Sequence, residues 1–116
     1  MNRGSIYILG SSNFNALYIG VTNNLETRVL QHKCGIGSQH TSKYNIKNLL
    51  YFEHFDNIID AIAREKQLKN WHKNWKIDLI KTKNPLFEDL AANWYVEDDF
   101  KGVIDEWFLL YRDTYI

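Results

Sequence analysis

Apolar residues along this chain recur with two different periods. Residues 5–10 and 16–21 alternate as strands do, and Ile6-Tyr7-Ile8-Leu9 is almost continuously apolar. Between them Gly10-Ser11-Ser12-Asn13-Phe14-Asn15 has the composition of a hairpin loop. With Tyr7 and Tyr18 opposite each other, both rings project from one face of that hairpin. Residues 47–53 read as a third strand. Elsewhere the period is that of a helix, over roughly residues 24–34, 58–70, 72–82 and 98–111. Thr22-Asn23-Asn24 and Asp56-Asn57 supply caps for the first two helices. Cys34-Gly35-Ile36-Gly37-Ser38 stops the first and opens a loop that carries His40, Lys43 and Tyr44. Asn84-Pro85 breaks the third helix, and Glu88 to Trp94 is a short helix or turn. The pattern predicts an α/β (α+β) fold.

Two of these helices turn ionisable groups inward. On the helix at 58–70 the apolar positions Ile58, Ala61, Ile62 and Leu68 cluster on one side, and Glu65 falls among them. A carboxylate on a core-facing stripe costs several kcal/mol unless it is paired. Its partner is either a lysine or arginine or a bound metal. On the helix at 24–34, Leu25 and Val29 mark the inner face, His32 projects between them, and Arg28 lies one turn away at the flank. Each is most simply a satisfied core residue. Together they favour one shared polar site. Tyr7 and Tyr18 can likewise be ordinary sheet aromatics whose hydroxyls reach the surface.

Composition narrows the class. At 116 residues with 45% apolar and 15% aromatic content, the chain is expected to fold as a globular domain and not to be disordered. No apolar run approaches the roughly 20 residues of a bilayer span, so no membrane association is expected. With the lone Cys34 neither an internal disulfide nor a thiolate metal cage is available, and the chain reads as cytoplasmic. The net charge of zero hides a division: residues 1–94 hold 12 Lys and Arg against 8 Asp and Glu, whereas residues 95–116 hold 2 against 6. A body at +4 is compatible with binding phosphate.

The ordered set Ser5-Ile6-Tyr7, Tyr18-Ile19-Gly20, Arg28, His32 and Ala63-Arg64-Glu65-Lys66-Gln67-Leu68-Lys69-Asn70-Trp71, followed by Asn84-Pro85 and Asp89-Leu90, resembles the small stand-alone bacterial branch of the GIY-YIG endonuclease superfamily. Ser5 stands where the family has glycine. The resemblance implies a three-stranded antiparallel sheet flanked by helices over residues 1–94. It also implies a metal-dependent endonuclease that hydrolyses DNA, in repair or recombination, by a one-metal mechanism. Glu65 would hold the single Mg²⁺ or Mn²⁺, and Arg28 would contact the scissile phosphate. Tyr7 and Tyr18 would be the paired tyrosines, one a general base or an orienting group for water, with His32 or His40 assisting. Asn84 is the candidate for the family's late asparagine. The roles suit the chemistry. Mg²⁺ keeps most of its waters and needs few carboxylates, and arginine fits phosphate oxygens. A tyrosine base needs a nearby cation, whereas a histidine does not.

Lys33, Lys43, Lys47, Lys66, Lys69, Lys73 and Lys76 are candidate backbone contacts, with Tyr44, Trp71 and Trp75 able to stack on bases. Residues 95–116 form a separate acidic extension. Phe100, Val103, Ile104, Trp107, Leu110 and Tyr111 make a wide apolar face on it, with Asp99, Asp105, Glu106 and Asp113 mostly elsewhere. That face must pack on the domain or on a second copy as a homodimer. The acidic tail can also lie over the basic site and compete with DNA. Two rival functions stand beside the nuclease: a nucleic-acid-binding module without cleavage, and an interaction protein built on the C-terminal helix.

Overall fold

The computed structural model describes residues 2–115, with the side chains of Phe108 and of the residues from 111 onward outside that description. Tyr111 and Asp113, expected on the last helix, therefore lie outside the described side chains. In chain order the elements are β1 (Gly4–Gly10), β2 (Leu17–Thr22), α1 (Leu25–Lys33), α2 (Gln39–Lys43), β3 (Asn48–Phe55), α3 (Ile58–Lys69), α4 (Lys73–Lys81) and α5 (Glu97–Tyr115). The strands form one antiparallel sheet in the order β2-β1-β3. This is the three-stranded α+β arrangement expected from the sequence. The short helix α2 was not expected. Ser38 starts it by accepting a hydrogen bond from the Thr41 amide at 3.1 Å, and Asn45 follows it at φ 53, a left-handed conformation that asparagine tolerates.

β1 is buried along its whole length because the sheet is covered on both faces. On one face Ile6, Ile8, Ile19, Leu50 and Tyr51 pack with Ala61 and Leu68 of α3 and Ile80 of α4. On the other, Tyr7, Leu9 and Leu49 pack with Leu25 and Val29 of α1, with Ile46 and with Ala91. Burying each of the larger aliphatic chains contributes about 1.5–3 kcal/mol. The helix caps are those the sequence offers: Asn24 accepts from the Thr27 amide at 3.2 Å, and Asn57 from the Ile59 amide at 2.8 Å. Ile62, expected on the inner stripe of α3, is 36% exposed at the rim of the helix.

A register irregularity interrupts the ladder between β1 and β3. Ile8 pairs with Tyr51 and Leu9 with Leu49, so Leu50 is the extra residue of a bulge. Its carbonyl is taken by Asn84, whose amide donates to Leu50 O at 3.0 Å and to Glu88 O at 2.8 Å and accepts from the Glu88 amide at 3.0 Å. Asn84 is 4% exposed with its amide engaged by backbone. The candidate for the family's late asparagine is thus engaged within the fold. Lys33 is likewise engaged within the chain. It pairs with Asp89 and donates to Lys47 O at 3.2 Å, while Asp89 also accepts from the amides of Leu49 at 2.9 Å and Ala91 at 3.1 Å. These bonds fasten the segment after α4 to β3 and α1.

α5 packs against α1, with Cys34 Sγ 4.0 Å from the Phe100 carbonyl, and Tyr95 just before it donates to Glu26 O at 2.6 Å. Phe100, Val103 and Trp107 make the half-buried stripe, spaced to face a single neighbouring helix. Ile104 at 43% and Leu110 at 68% exposed do not join it, because one neighbour covers a narrower arc than the wide face expected. Replacing Asn84 by alanine should strand Leu50 O and both Glu88 backbone groups and destabilise the protein by about 2–3 kcal/mol. Urea unfolding measures this, and an unchanged midpoint would show that Asn84 does not hold the bulge.

Candidate active site

The hairpin register decides how the two tyrosines meet. Tyr7 pairs with Gly20 and Tyr18 with Leu9, so the tyrosines are diagonal neighbours on one face, not directly opposite. Their ring centroids are 6.3 Å apart. The Tyr7 ring lies across Gly20, where any Cβ would overlap its ring edge and hydroxyl. Only glycine leaves that path open. Ser5, in the place of the family's glycine, has no left-handed backbone: among the described residues the non-glycine positions with positive φ are Phe14, Asn45 and Phe87. Its hydroxyl instead bonds His54 Nδ1 across the β1–β3 pair at 2.6 Å.

Tyr7 Oη meets His32 Nε2 at 2.9 Å, and His32 Nδ1 meets Thr41 Oγ1 at 2.9 Å. Thr41 in turn lies 2.8 Å from Ser38 Oγ. Tyr7, His32 and Thr41 are each no more than 1% exposed. Gly37 lets the turn before α2 close onto the imidazole, since a Cβ there would overlap the ring. Burial pushes the Tyr7 hydroxyl up to about 12; the nearby Arg28 guanidinium opposes this, and the charges of Tyr18 and Glu65 add to it. Burial also pushes His32 down to about 4, with the Arg28 charge acting in the same direction. Both groups are therefore neutral near pH 7.

Glu65 approaches from α3, on the other side of the sheet, and its charge is felt at Tyr7. Its side chain is only 14% exposed, and one oxygen is held by Lys69 at 3.0 Å. The lysine partner foreseen for a buried carboxylate is thus present. The pair engages one of the two oxygens. Among the described residues no three His, Cys, Asp or Glu side chains are grouped to hold a metal.

A row of rings leads outward from the buried pair. Tyr18 is 5.4 Å from His32 and 6.2 Å from His40, His40 is 5.0 Å from Tyr44, and Lys43 Nζ stands 5.4 Å above the Tyr44 ring. His32 therefore stands against both tyrosines, whereas His40 neighbours Tyr18. Lys73 lies apart from this row, with its ammonium on Asn15 O at 2.6 Å. Trp71 sits under the Arg64 guanidinium, and Trp75 is 55% exposed beside it. Thr41, Ser38 and Gly37 were missed by sequence reading. The available signal was a glycine-and-hydroxyl cluster just after the helix that carries His32.

An antiparallel sheet carrying paired tyrosines beside a helix with arginine and histidine defines the hydrolase-like core of a GIY-YIG domain. A family profile described as the GIY-YIG catalytic domain matches residues 3–78, and this chain belongs to that family. It is 39% identical over 79 residues to the UPF0213 protein CPE1444 of Clostridium perfringens, covering 68% of this chain and 84% of that protein. It is 34% identical over 86 residues to a UPF0213 protein of Syntrophus aciditrophicus, covering 73% and 97%. It is also similar to the solution NMR structure of the UPF0213 protein BH0048 from Bacillus halodurans, at 22% identity and a TM-score of 0.49 over 78% of this chain and 97% of that one.

The depressed His32 value has a consequence for stability. Between pH 6.5 and about 4 the unfolded imidazole binds a proton that the folded one refuses, so stability is greatest above 6.5 and falls toward pH 4. The loss should be on the order of 3 kcal/mol. Urea titrations across this range should show it in the wild type and a smaller loss in His32→Gln. Identical profiles would mean that His32 is not held neutral.

Proposed function

We propose that this protein is a divalent-metal-dependent endonuclease that hydrolyses phosphodiester bonds in DNA. The observation that carries the reading is the buried Tyr7–His32 pair with Arg28 beside it and the Glu65 charge reaching Tyr7. In this reading water attacks the phosphorus, the bond to the leaving oxygen breaks, and the proton of the water passes toward the site's base. Arg28 spans the non-bridging oxygens with its planar fork and offsets the charge that gathers there. The half-buried Tyr18 orients the attacking water and His40 beside it accepts the proton, while Tyr7, neutral and buried, donates to His32 Nε2 and holds its place next to Tyr18. Glu65 would hold a divalent cation, which would supply polarisation of the phosphate and charge neutralisation on the leaving oxygen. Tyr18 and His40 line the approach, with Lys43 and Tyr44 at its outer end, where a base can stack.

The reading is tested with labelled nicked, branched and single-stranded DNA in Mg²⁺ or Mn²⁺. Glu65→Gln should lower the rate at least about 100-fold, because the carboxylate that neutralises the cation is gone. Equal cleavage by wild type and variant would refute the assignment of Glu65. Salt-sensitive binding with no cleavage by either would favour a binding module instead.

Residues 95–116 form, in this proposal, an acidic extension that limits access to the site. Glu106 and Trp107 share with Arg28, Thr27 and Gln31 a cleft of about 290 Å³ between α1 and α5. A carboxylate there competes with phosphate for the same guanidinium. Glu106→Gln should tighten DNA binding several-fold at low salt, and less so at high salt where the repulsion is screened. Unchanged affinity at both salt concentrations would remove the extension from the account.

A further inference from the structure

The hydrogen-bond chain behind Tyr7 has a direction, and the donors available decide it. Tyr7 is neutral, so Oη carries a proton that needs an acceptor. Among the described residues Oη bonds His32 Nε2 at 2.9 Å and feels the nearby Arg28 guanidinium, and a guanidinium only donates. At 1% exposure Tyr7 has almost no access to water. The hydroxyl therefore donates to Nε2. A neutral imidazole accepting at Nε2 carries its proton on Nδ1, which faces Thr41 Oγ1 at 2.9 Å. Thr41 must then accept there and send its own proton onward to Ser38, whose Oγ lies at 2.8 Å and carbonyl at 3.4 Å.

We propose that Thr41 is a positioning residue that holds His32 in the Nδ1–H tautomer, so that Nε2 is the acceptor for the Tyr7 proton. The consequence for catalysis rests on the proposed nuclease reading; the tautomer does not. No proton changes hands in this arrangement: Tyr7 O–H donates to Nε2 and Nδ1–H donates to Thr41, which fixes the Tyr7 ring beside Tyr18. With the opposite tautomer Nε2 already carries a proton, and the Tyr7 hydroxyl loses its acceptor there. The Gly37 turn packs beside the same ring, so close that a Cβ there would overlap it.

The test is long-range ¹H–¹⁵N correlation of the histidine rings in ¹⁵N-labelled protein near pH 7, with Thr41→Val and Thr41→Ser alongside. The wild type should show His32 protonated at Nδ1. Thr41→Val, which keeps the volume and removes the acceptor, should shift His32 toward the Nε2–H form, and Thr41→Ser should restore the wild-type pattern. In cleavage assays Thr41→Val should lower kcat by about 10-fold or more with KM little changed, and Thr41→Ser should recover most of it. An Nε2–H tautomer in the wild type, or a tautomer unchanged in Thr41→Val, overturns the proposal, and the wild-type spectrum decides even if the valine variant fails to fold. A wild type with the Nδ1–H tautomer and the Thr41 dependence, yet inert on every DNA, would uphold the tautomer lock and refute the nuclease reading.

Discussion

A buried phenol and a buried imidazole, 2.9 Å apart, join the central strand to the first helix, and much of the remaining structure follows from making that contact possible. The Tyr7 ring reaches His32 only because position 20 has no side chain. The imidazole keeps its orientation only because the turn at Gly37 closes against it and Thr41 engages its far nitrogen. Each polar group removed from water here needs a partner, and in a low-dielectric interior those partners order one another along the chain of hydrogen bonds. The short helix α2 is best understood as the element that delivers Thr41 to this place.

The second constraint is the double coverage of β1. Burial on both faces lets one strand send Tyr7 toward α1 while Ile6 and Ile8 pack on α3. The helices that carry the candidate site residues consequently lie on opposite faces of the sheet, with Glu65 on α3 and Arg28 and His32 on α1. The bulge at Leu50 and its side-chain cap, Asn84, adjust the third strand so that Leu49 and Leu50 serve different cores. Lys33 and Asp89 tie the following segment to the same strand. Residues that looked like candidates for contacting a ligand are here part of what keeps the scaffold in register.

Beyond the family domain, α5 adds one acidic helix that lies against α1 next to Arg28. It buries a narrow stripe and leaves Ile104, Leu109 and Leu110 exposed. Of its acidic groups, Glu106 shares the cleft that Arg28 lines. Among the described residues, no helix is long and apolar enough to cross a membrane.

The elements were legible in the sequence because their causes are local. Alternating apolar runs around a hairpin loop, capping asparagines at 24 and 57, and a breaker at Asn84-Pro85 act within a few residues. The inward placement of His32 and Glu65 was legible too, because helical periodicity alone sets which face a residue occupies. Pairing was not legible. That Tyr7 faces Gly20 and not Tyr18, that Asn84 serves a bulged carbonyl 34 residues away, and that Lys33 is taken by Asp89 all depend on register and on groups distant in the chain. Sequence determined which groups turn inward, because periodicity is a property of the backbone. Only the tertiary structure decided which of them meet, because a hydrogen bond is a matter of a few tenths of an ångström between atoms that chain spacing leaves unrelated.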